Sequence, residues 1–238
     1  SNNRQYVVSG MLESSPVKHP ELSYRIQATY KKGGNARTPN YWLYNTGLQE
    51  INYSASAGLR KEKYNTEIFV SSFNTDLGIF IGSHVGNLSD LQNAIQLSKP
   101  LQNIDAFSYT IGRPKQNVQH YTVKSKSQIY LPNNSKLNLL VTYQKNVRKE
   151  YDRALLSNRP ELDLDISTTS ADINYESGSN KKITSNIGTV IMLQENIWAG
   201  SRFFIPNFRT QNVALYSIHN YNVNNWMFDA GARFDYRH

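Results

Sequence analysis

Along most of this chain, apolar and polar side chains alternate one by one. Ile51, Tyr53, Ala55, Ala57 and Leu59 share one parity; Asn52, Ser54, Ser56, Gly58 and Arg60 share the other. The pattern sharpens near the C-terminus. There Trp226, Phe228, Ala230, Ala232, Phe234 and Tyr236 interleave with Met227, Asp229, Gly231, Arg233, Asp235 and Arg237. Successive side chains of a strand point to opposite faces, so each segment has one apolar and one polar side. Read this way, the chain predicts ten strands, at 4–12, 22–32, 41–60, 64–77, 118–131, 136–149, 162–177, 182–195, 210–221 and 225–237. The third is expected to be irregular at its start. The seventh changes phase near Thr168 and Thr169, which predicts a bulge or a bend.

The links between strands carry a second signal. Short turns fall at Lys61 to Lys63, Pro132 to Ser135, Gly178 to Lys181 and Asn222 to Asn224, with the Gly, Pro, Asn and Ser that tight turns use. The links 33–40, 78–117, 150–161 and 196–209 are longer, and 13–21 is a longer member of the short series. Tight turns at one edge and long loops at the other mark an outer-membrane barrel. Strand length agrees. Trp226 to Tyr236 is ten steps, which at ~3.3 Å per residue and a tilt near 40° spans roughly 25 Å, the height of such a barrel's apolar band. The fold expected is therefore all-β: an antiparallel up-and-down meander of about ten strands, part of a transmembrane β-barrel, with 1–238 as one partial barrel domain. The competing reading is a stand-alone β-sandwich adhesin or binding module whose apolar face is a dry core. Within 78–117, Ser89 and Gln92 have capping-box spacing, Leu91, Ala94 and Ile95 form a stripe, and Pro100 stops it. This predicts a helix at 90–98 in an ordered lid.

Composition narrows the chemistry. The 16 Tyr suit a boundary between water and apolar surroundings, since the ring is apolar and its tip polar. With no cysteine, the chain has no disulfide, thiolate metal site or Cys nucleophile. Its net charge of +8 comes from dispersed residues such as Lys31, Lys32, Arg37, Lys61, Lys63, Arg148, Lys149, Lys181 and Lys182. They sit at strand ends and in loops. That describes a solvated rim, one able to meet lipopolysaccharide phosphates or an anionic ligand, and not a nucleic-acid stripe. No apolar run approaches a membrane-spanning helix, and no signal peptide is recognised. No G-x-S-x-G, Walker or H-E-x-x-H motif occurs, and His19, His84, His120, His219 and His238 are dispersed. Asp163 and Asp165 share one strand face and read as solvated. The expectation is a non-enzyme with no metal site and no cofactor.

Several stretches then carry a resemblance. They are Arg37-Thr-Pro, Asn45-Thr-Gly-Leu-Gln-Glu50, Ser54-Ala-Ser-Ala-Gly58 and Phe73-Asn-Thr-Asp-Leu-Gly-Ile-Phe80. His84-Val-Gly-Asn-Leu-Ser-Asp-Leu-Gln-Asn-Ala-Ile95 follows, then Arg113-Pro-Lys-Gln116 before a His120 strand, Leu162-Asp-Leu-Asp165 and Ala230-Gly-Ala-Arg-Phe-Asp-Tyr236. In this order they resemble the barrel region of TonB-dependent outer-membrane receptors of the Bacteroidetes type. The resemblance implies a full receptor of about 22 strands with a plug in its lumen. It also implies a bacterial outer-membrane location and uptake of a scarce ligand such as a ferric siderophore, haem or cobalamin. Expected partners are outer-membrane lipid, a metal-chelate ligand, and the TonB complex only through a plug that these residues do not include. The edge strands of such a section are expected to self-associate.

Candidate ligand contacts lie in the long links: His84, Tyr109, Arg113, Arg202 and Arg209. Guanidinium forks and aromatic faces suit anionic, planar chelates. Phe203, Phe204, Ile205 and Phe208 add an apolar patch.

Overall fold

A computed structural model of the chain describes residues 2–83, 86–101, 103–152, 158–178 and 182–238. In chain order the strands are β1 Tyr6–Ser14, β2 Leu22–Gly33, β3 Ala36–Arg37, β4 Trp42–Leu43, β5 Leu48–Arg60 and β6 Tyr64–Gly78. Then come β7 Lys115–Tyr130, β8 Lys136–Tyr151, β9 Leu162–Glu176, β10 Ile183–Trp198, β11 Phe208–Val223 and β12 Trp226–Arg237. Ten of them form one antiparallel meander, β1-β2-β5-β6-β7-β8-β9-β10-β11-β12, open at β1 and β12. The links alternate as expected. Two-residue to seven-residue turns join the strands at one end, and 34–47, 79–114, 152–161 and 199–207 join them at the other.

Three expectations need correction. The stretch 41–60 is not one strand. Asn45 takes a left-handed backbone (φ 60°), and β4 folds back on β3 as a two-residue hairpin before β5 begins. There is no bulge at Thr168 and Thr169. Thr168 lies opposite Gln144 and Gln194, and Thr169 opposite Tyr143 and Leu193, with no residue left over. The apparent phase change marks a change of surroundings instead. Beyond Ala171 one face of β9 turns polar through Ser167, Asp165 and Asp163, while Leu164 on the other face is buried. The helix α1 is Leu88–Gln96, and its cap is Asn87, whose side chain accepts a hydrogen bond from the Asp90 amide at 2.9 Å. Ser89 lies inside the helix. Both residues are good caps, and Asn87 is the one with extended backbone. The expected turn over Gly178 to Lys181 lies mostly outside the described residues.

Paired residues share a face, so the register can be followed across the sheet. The face of Ile26, Ala55, Val70, Val123, Tyr143, Thr169 and Leu193 is apolar. Two aromatic lines bound it. Toward the long loops stand Tyr30, Tyr53, Tyr121, Tyr143 and Tyr236; toward the tight turns stand Tyr24, Tyr64, Tyr175, Tyr221 and Trp226. The upper line cuts obliquely through the ladder. The register carries Tyr30 to Ile51, Asn74, Gln119 and Val147, whereas the tyrosine of β8 is Tyr143, four residues nearer the tight turns. A level line across tilted strands drifts against the register in this way, as the stagger of a barrel requires.

Among the described residues nothing covers either face: the buried hydrophobic ones are Leu164 and Ala214, while Phe234 is 67% and Leu215 58% exposed. The accessible surface is 15891 Å². A compact protein of 27.2 kDa would expose about 10,900 Å². The molecule is a single-layer wall. The sandwich reading needs a dry core between two sheets, and the described residues contain none.

Packing within the polar face is specific. Gly188 lies opposite Tyr216, whose ring crosses the bare glycine so that its hydroxyl donates to Asp172 Oδ1 at 3.3 Å. A Cβ on Gly188 would stand 2.5 Å from that ring. Gly188→Val is therefore expected to displace Tyr216 and destabilise the folded wall by about 1–3 kcal/mol, lowering its urea midpoint in detergent. Gly10→Ala, whose Cβ would meet nothing within 4 Å, should leave the midpoint in place.

Candidate ligand-facing region

The long links are held as a built structure by buried asparagines. Asn45, 1% exposed, donates through Nδ2 to the carbonyls of Ile79 (2.9 Å) and Pro114 (2.7 Å), and its Oδ1 accepts from the Gly112 amide (2.7 Å). The two ends of link 79–114 are thus tied to one side chain. Gly78 permits the close approach, since a Cβ there would collide with the Asn45 carbonyl. Asn35 is fully buried. It donates to the Ala106 carbonyl at 3.0 Å and accepts from the Thr46 amide at 3.2 Å. Asn103 and Asp105 complete the attachment: Asn103 bonds the Trp42 carbonyl and Tyr44 amide, and Asp105 accepts from the Trp42 amide at 2.8 Å. By contrast, α1 lies on the surface with none of its residues buried. Among the described residues of the link expected to form a lid, the 103–114 segment makes the attaching bonds, not the helix.

The Lys99 ammonium, 2.8 Å away, and then the Trp42 amide hold the Asp105 carboxyl below its ordinary range. A carboxyl so depressed stabilises the folded form above its unfolded pKa and loses that contribution as pH falls through its lower folded value. The Trp42–Asp105 attachment should therefore persist through neutral and mildly acidic pH and open only below the ordinary aspartate range. Amide exchange at Trp42 checks this. Opening near pH 6 would assign the attachment to another group.

The structure distributes the sequence-predicted contacts instead of gathering them. His84 lies outside the described residues. Tyr109 donates its hydroxyl to the Arg4 carbonyl at 2.8 Å, and its ring rests against Phe107 (4.9 Å between centroids) and Tyr6 (6.1 Å). Tyr6 belongs to the apolar face, so Tyr109 stands on that side. Arg113, whose bond to Pro114 is cis, has its guanidinium 5.0 Å from the Tyr151 ring, with Lys115 on the same ring at 5.4 Å. Tyr151 and Lys115 are register partners with the parity of the apolar face. Arg209 pairs with Glu195 at 2.7 Å on that face too.

Arg202 is different. Its guanidinium lies 3.5 Å from Glu161 and 3.8 Å from Asp152, and its carbonyl accepts from the Trp198 indole at 2.8 Å. Trp198 has the parity of the polar face and meets Phe203 edge-on at 5.5 Å. Asn196 and Asn207 hold this corner: Asn196 donates to the Pro206 carbonyl and Asn207 accepts from the Trp198 amide at 2.6 Å. Glu161 Oε1 and Asn196 Oδ1 are buried without a hydrogen-bond partner among the described residues. Below this corner the polar face carries Gln116 and Arg148 on Glu150 (2.9 and 3.0 Å) and His120 between Asn146 and Thr122. Sequence reasoning passed over Trp198, Asn196, Glu161 and Glu150. For Trp198, Asn196 and Glu150 the available signal was parity, which sets these strand residues on the polar side; Glu161 lies in the loop before β9, where parity gives no signal.

No family model matches the chain, and no curated protein is similar to it. Solved structures are. The siderophore receptor PirA from Acinetobacter baumannii superposes with a TM-score of 0.67 at 14% identity, over 98% of this chain and 36% of its own. The ferric citrate transporter FecA, in unliganded form, gives 0.64 at 10% identity, over 98% and 35%. The ferric enterobactin receptor PfeA from Pseudomonas aeruginosa, as a mutant, gives 0.63 at 12%, over 98% and 37%. The chain spans little more than a third of the length of these three. At such identities the likeness establishes the fold: an antiparallel section of β-barrel wall.

Proposed function

We propose that this chain is a section of an outer-membrane receptor that takes up a scarce ligand, with a ferric chelate as the leading class and haem or cobalamin as the others. One observation carries the reading: a single-layer sheet has an apolar face bounded by two aromatic lines, a polar opposite face, tight turns at one end and long loops at the other. A wall between lipid and an aqueous lumen needs that combination. The three superposed barrels, whose names speak of siderophores, ferric citrate and ferric enterobactin, support the ligand class. The TonB-dependent mechanism rests on the sequence resemblance and works through a plug. In this reading the apolar face meets lipid, the polar face lines the lumen, and the long loops face outward from the cell.

Among the sequence-predicted contacts, Arg202 is the one set for a ligand entering from the loop side. It is 70% exposed while its two carboxylate partners are mostly covered. Its removal leaves two mostly covered carboxylates without their cation, so Arg202→Ala should loosen this corner as well as weaken binding. Arg202→Lys keeps the charge and loses the guanidinium fork; it should leave folding nearly unchanged and weaken ferric-chelate binding, read by Trp fluorescence.

Two measurements test the reading. Val141 lies on the apolar face between Tyr143 and Leu137, and Leu140 on the polar face. Val141→Arg should cost about 2–4 kcal/mol on folding into lipid vesicles, and Leu140→Arg much less. Equal costs would remove the lipid assignment. A deletion strain should grow poorly on one defined iron or cobalamin source and normally on the rest; equal growth on all of them would remove the uptake role.

A further inference from the structure

The apolar side carries a group of cations that the uptake function does not use. Lys32 is the register partner of Tyr6 and lies two residues beyond Tyr30, so it sits just outside the upper aromatic line. Its ammonium is 5.9 Å from the Tyr109 ring. Tyr109, Phe107 and Trp42 form a chain of edge-on rings, 4.9 and 5.0 Å between centroids. The Arg4 guanidinium lies 4.3 Å from Phe107 and 5.4 Å from Trp42, and the Arg37 guanidinium 5.2 Å from Trp42. Three cations thus rest on three linked rings.

Further along the same belt, outward cations are matched by carboxylates of a neighbouring strand: Lys145 with Asp165 (2.8 Å), Lys149 with Asp163 (3.7 Å) and Arg209 with Glu195 (2.7 Å). Arg4, Lys32 and Arg37 make no ion pair among the described residues. The carboxylate of that loop, Asp105, is hydrogen-bonded to Lys99 and the Trp42 amide, and Arg37 only adds to its field. Rings orient the cations without neutralising them, so their charge remains available to an anion.

We propose that Arg4, Lys32 and Arg37 seat the phosphate of a lipid headgroup in the leaflet on the long-loop side. The charge selects an anion, and the height selects a headgroup: the cluster begins one step outside the tyrosine line that marks the interface. Acyl chains of that lipid then lie along the exposed side chains of Val8, Leu12 and Ile26 below. This inference rests on the lipid assignment made above.

The test uses the protein folded in dodecyl maltoside micelles and native mass spectrometry to count retained lipids. Wild type should retain phosphatidic acid in preference to phosphatidylcholine, and inorganic phosphate should compete poorly. The R4Q/K32Q/R37Q variant should lose the preference, by about fivefold for each cation removed. K145Q, whose cation is already matched, should keep it. K32Q alone, whose ammonium lies over a single ring, serves if the triple variant does not fold, and should lose part of the preference. Equal retention of both lipids by wild type, or an unchanged preference in K32Q and the triple variant, would overturn the proposal. Efficient competition by inorganic phosphate would overturn it in favour of a free-anion site. Flotation with phosphatidylcholine vesicles reports the lipid assignment separately, since failure to float removes that reading whatever the micelle result.

Discussion

The ladder of backbone hydrogen bonds across ten antiparallel strands is the constraint on which everything else depends. It runs without an inserted residue along each strand pair. Because side chains alternate with period two, an unbroken register commits every residue to one face. A slip of one residue at any pair would send a whole strand's apolar set to the polar side. The sheet has little buried interior to enforce the register by packing, so side-chain devices on the polar face share the task. The Tyr216 ring lies across Gly188, and the chain Gln128–Asn138–Asn174 runs at 2.8 and 2.9 Å over three strands. Such links are lost together if the register shifts.

In the proposed reading, a wall of this kind can stay thin because its two surroundings differ. Residues such as Phe234, Leu215 and Ile26, exposed in the bare chain, become a fault in water and an asset in hydrocarbon. In that reading the aromatic lines mark where one surrounding gives way to the other, and the polar collar above them begins at once: Lys32, Gln119 and Gln211 each lie two residues beyond the last apolar or aromatic residue on the apolar face of their strands. The described residues of the loops above that collar form no hydrophobic core either. Their order comes from Asn35 and Asn45, which convert loose backbone groups into satisfied ones. A buried amide can do this because it offers donors and an acceptor on one short side chain.

Most of this was legible in the sequence. Alternation located all ten strands of the sheet, and turn chemistry separated the two ends. What escaped were features set by contacts distant in sequence. Asn45 ends a strand pattern that looks continuous because its partners, Ile79, Gly112 and Pro114, lie more than thirty residues away. The phase change in β9 looked local but reflects the burial of Leu164 at the loop end. The helix cap fell two residues from the one the Ser89–Gln92 spacing predicts, because both Asn87 and Ser89 have capping chemistry and only the extended backbone at Asn87 separates them.

The candidate site shows the same division more sharply. Arg209 and Arg113 were read as loop residues because the strands were drawn from 210 and 118; β11 begins at Phe208 and β7 at Lys115. Extending β11 by two residues is enough to give Arg209 the parity of Val213 and Leu215, which sets it on the apolar face. Arg113 precedes its strand, but the ring it contacts, Tyr151, carries the same outward parity through Lys115. A charged residue near a strand end thus has a face before it has a role, and the period of two assigns that face from sequence alone once the end is known. Arg202 escapes the rule because it lies in a true loop. Its direction is set by the Trp198 indole and by Glu161 and Asp152, contacts that no local pattern announces.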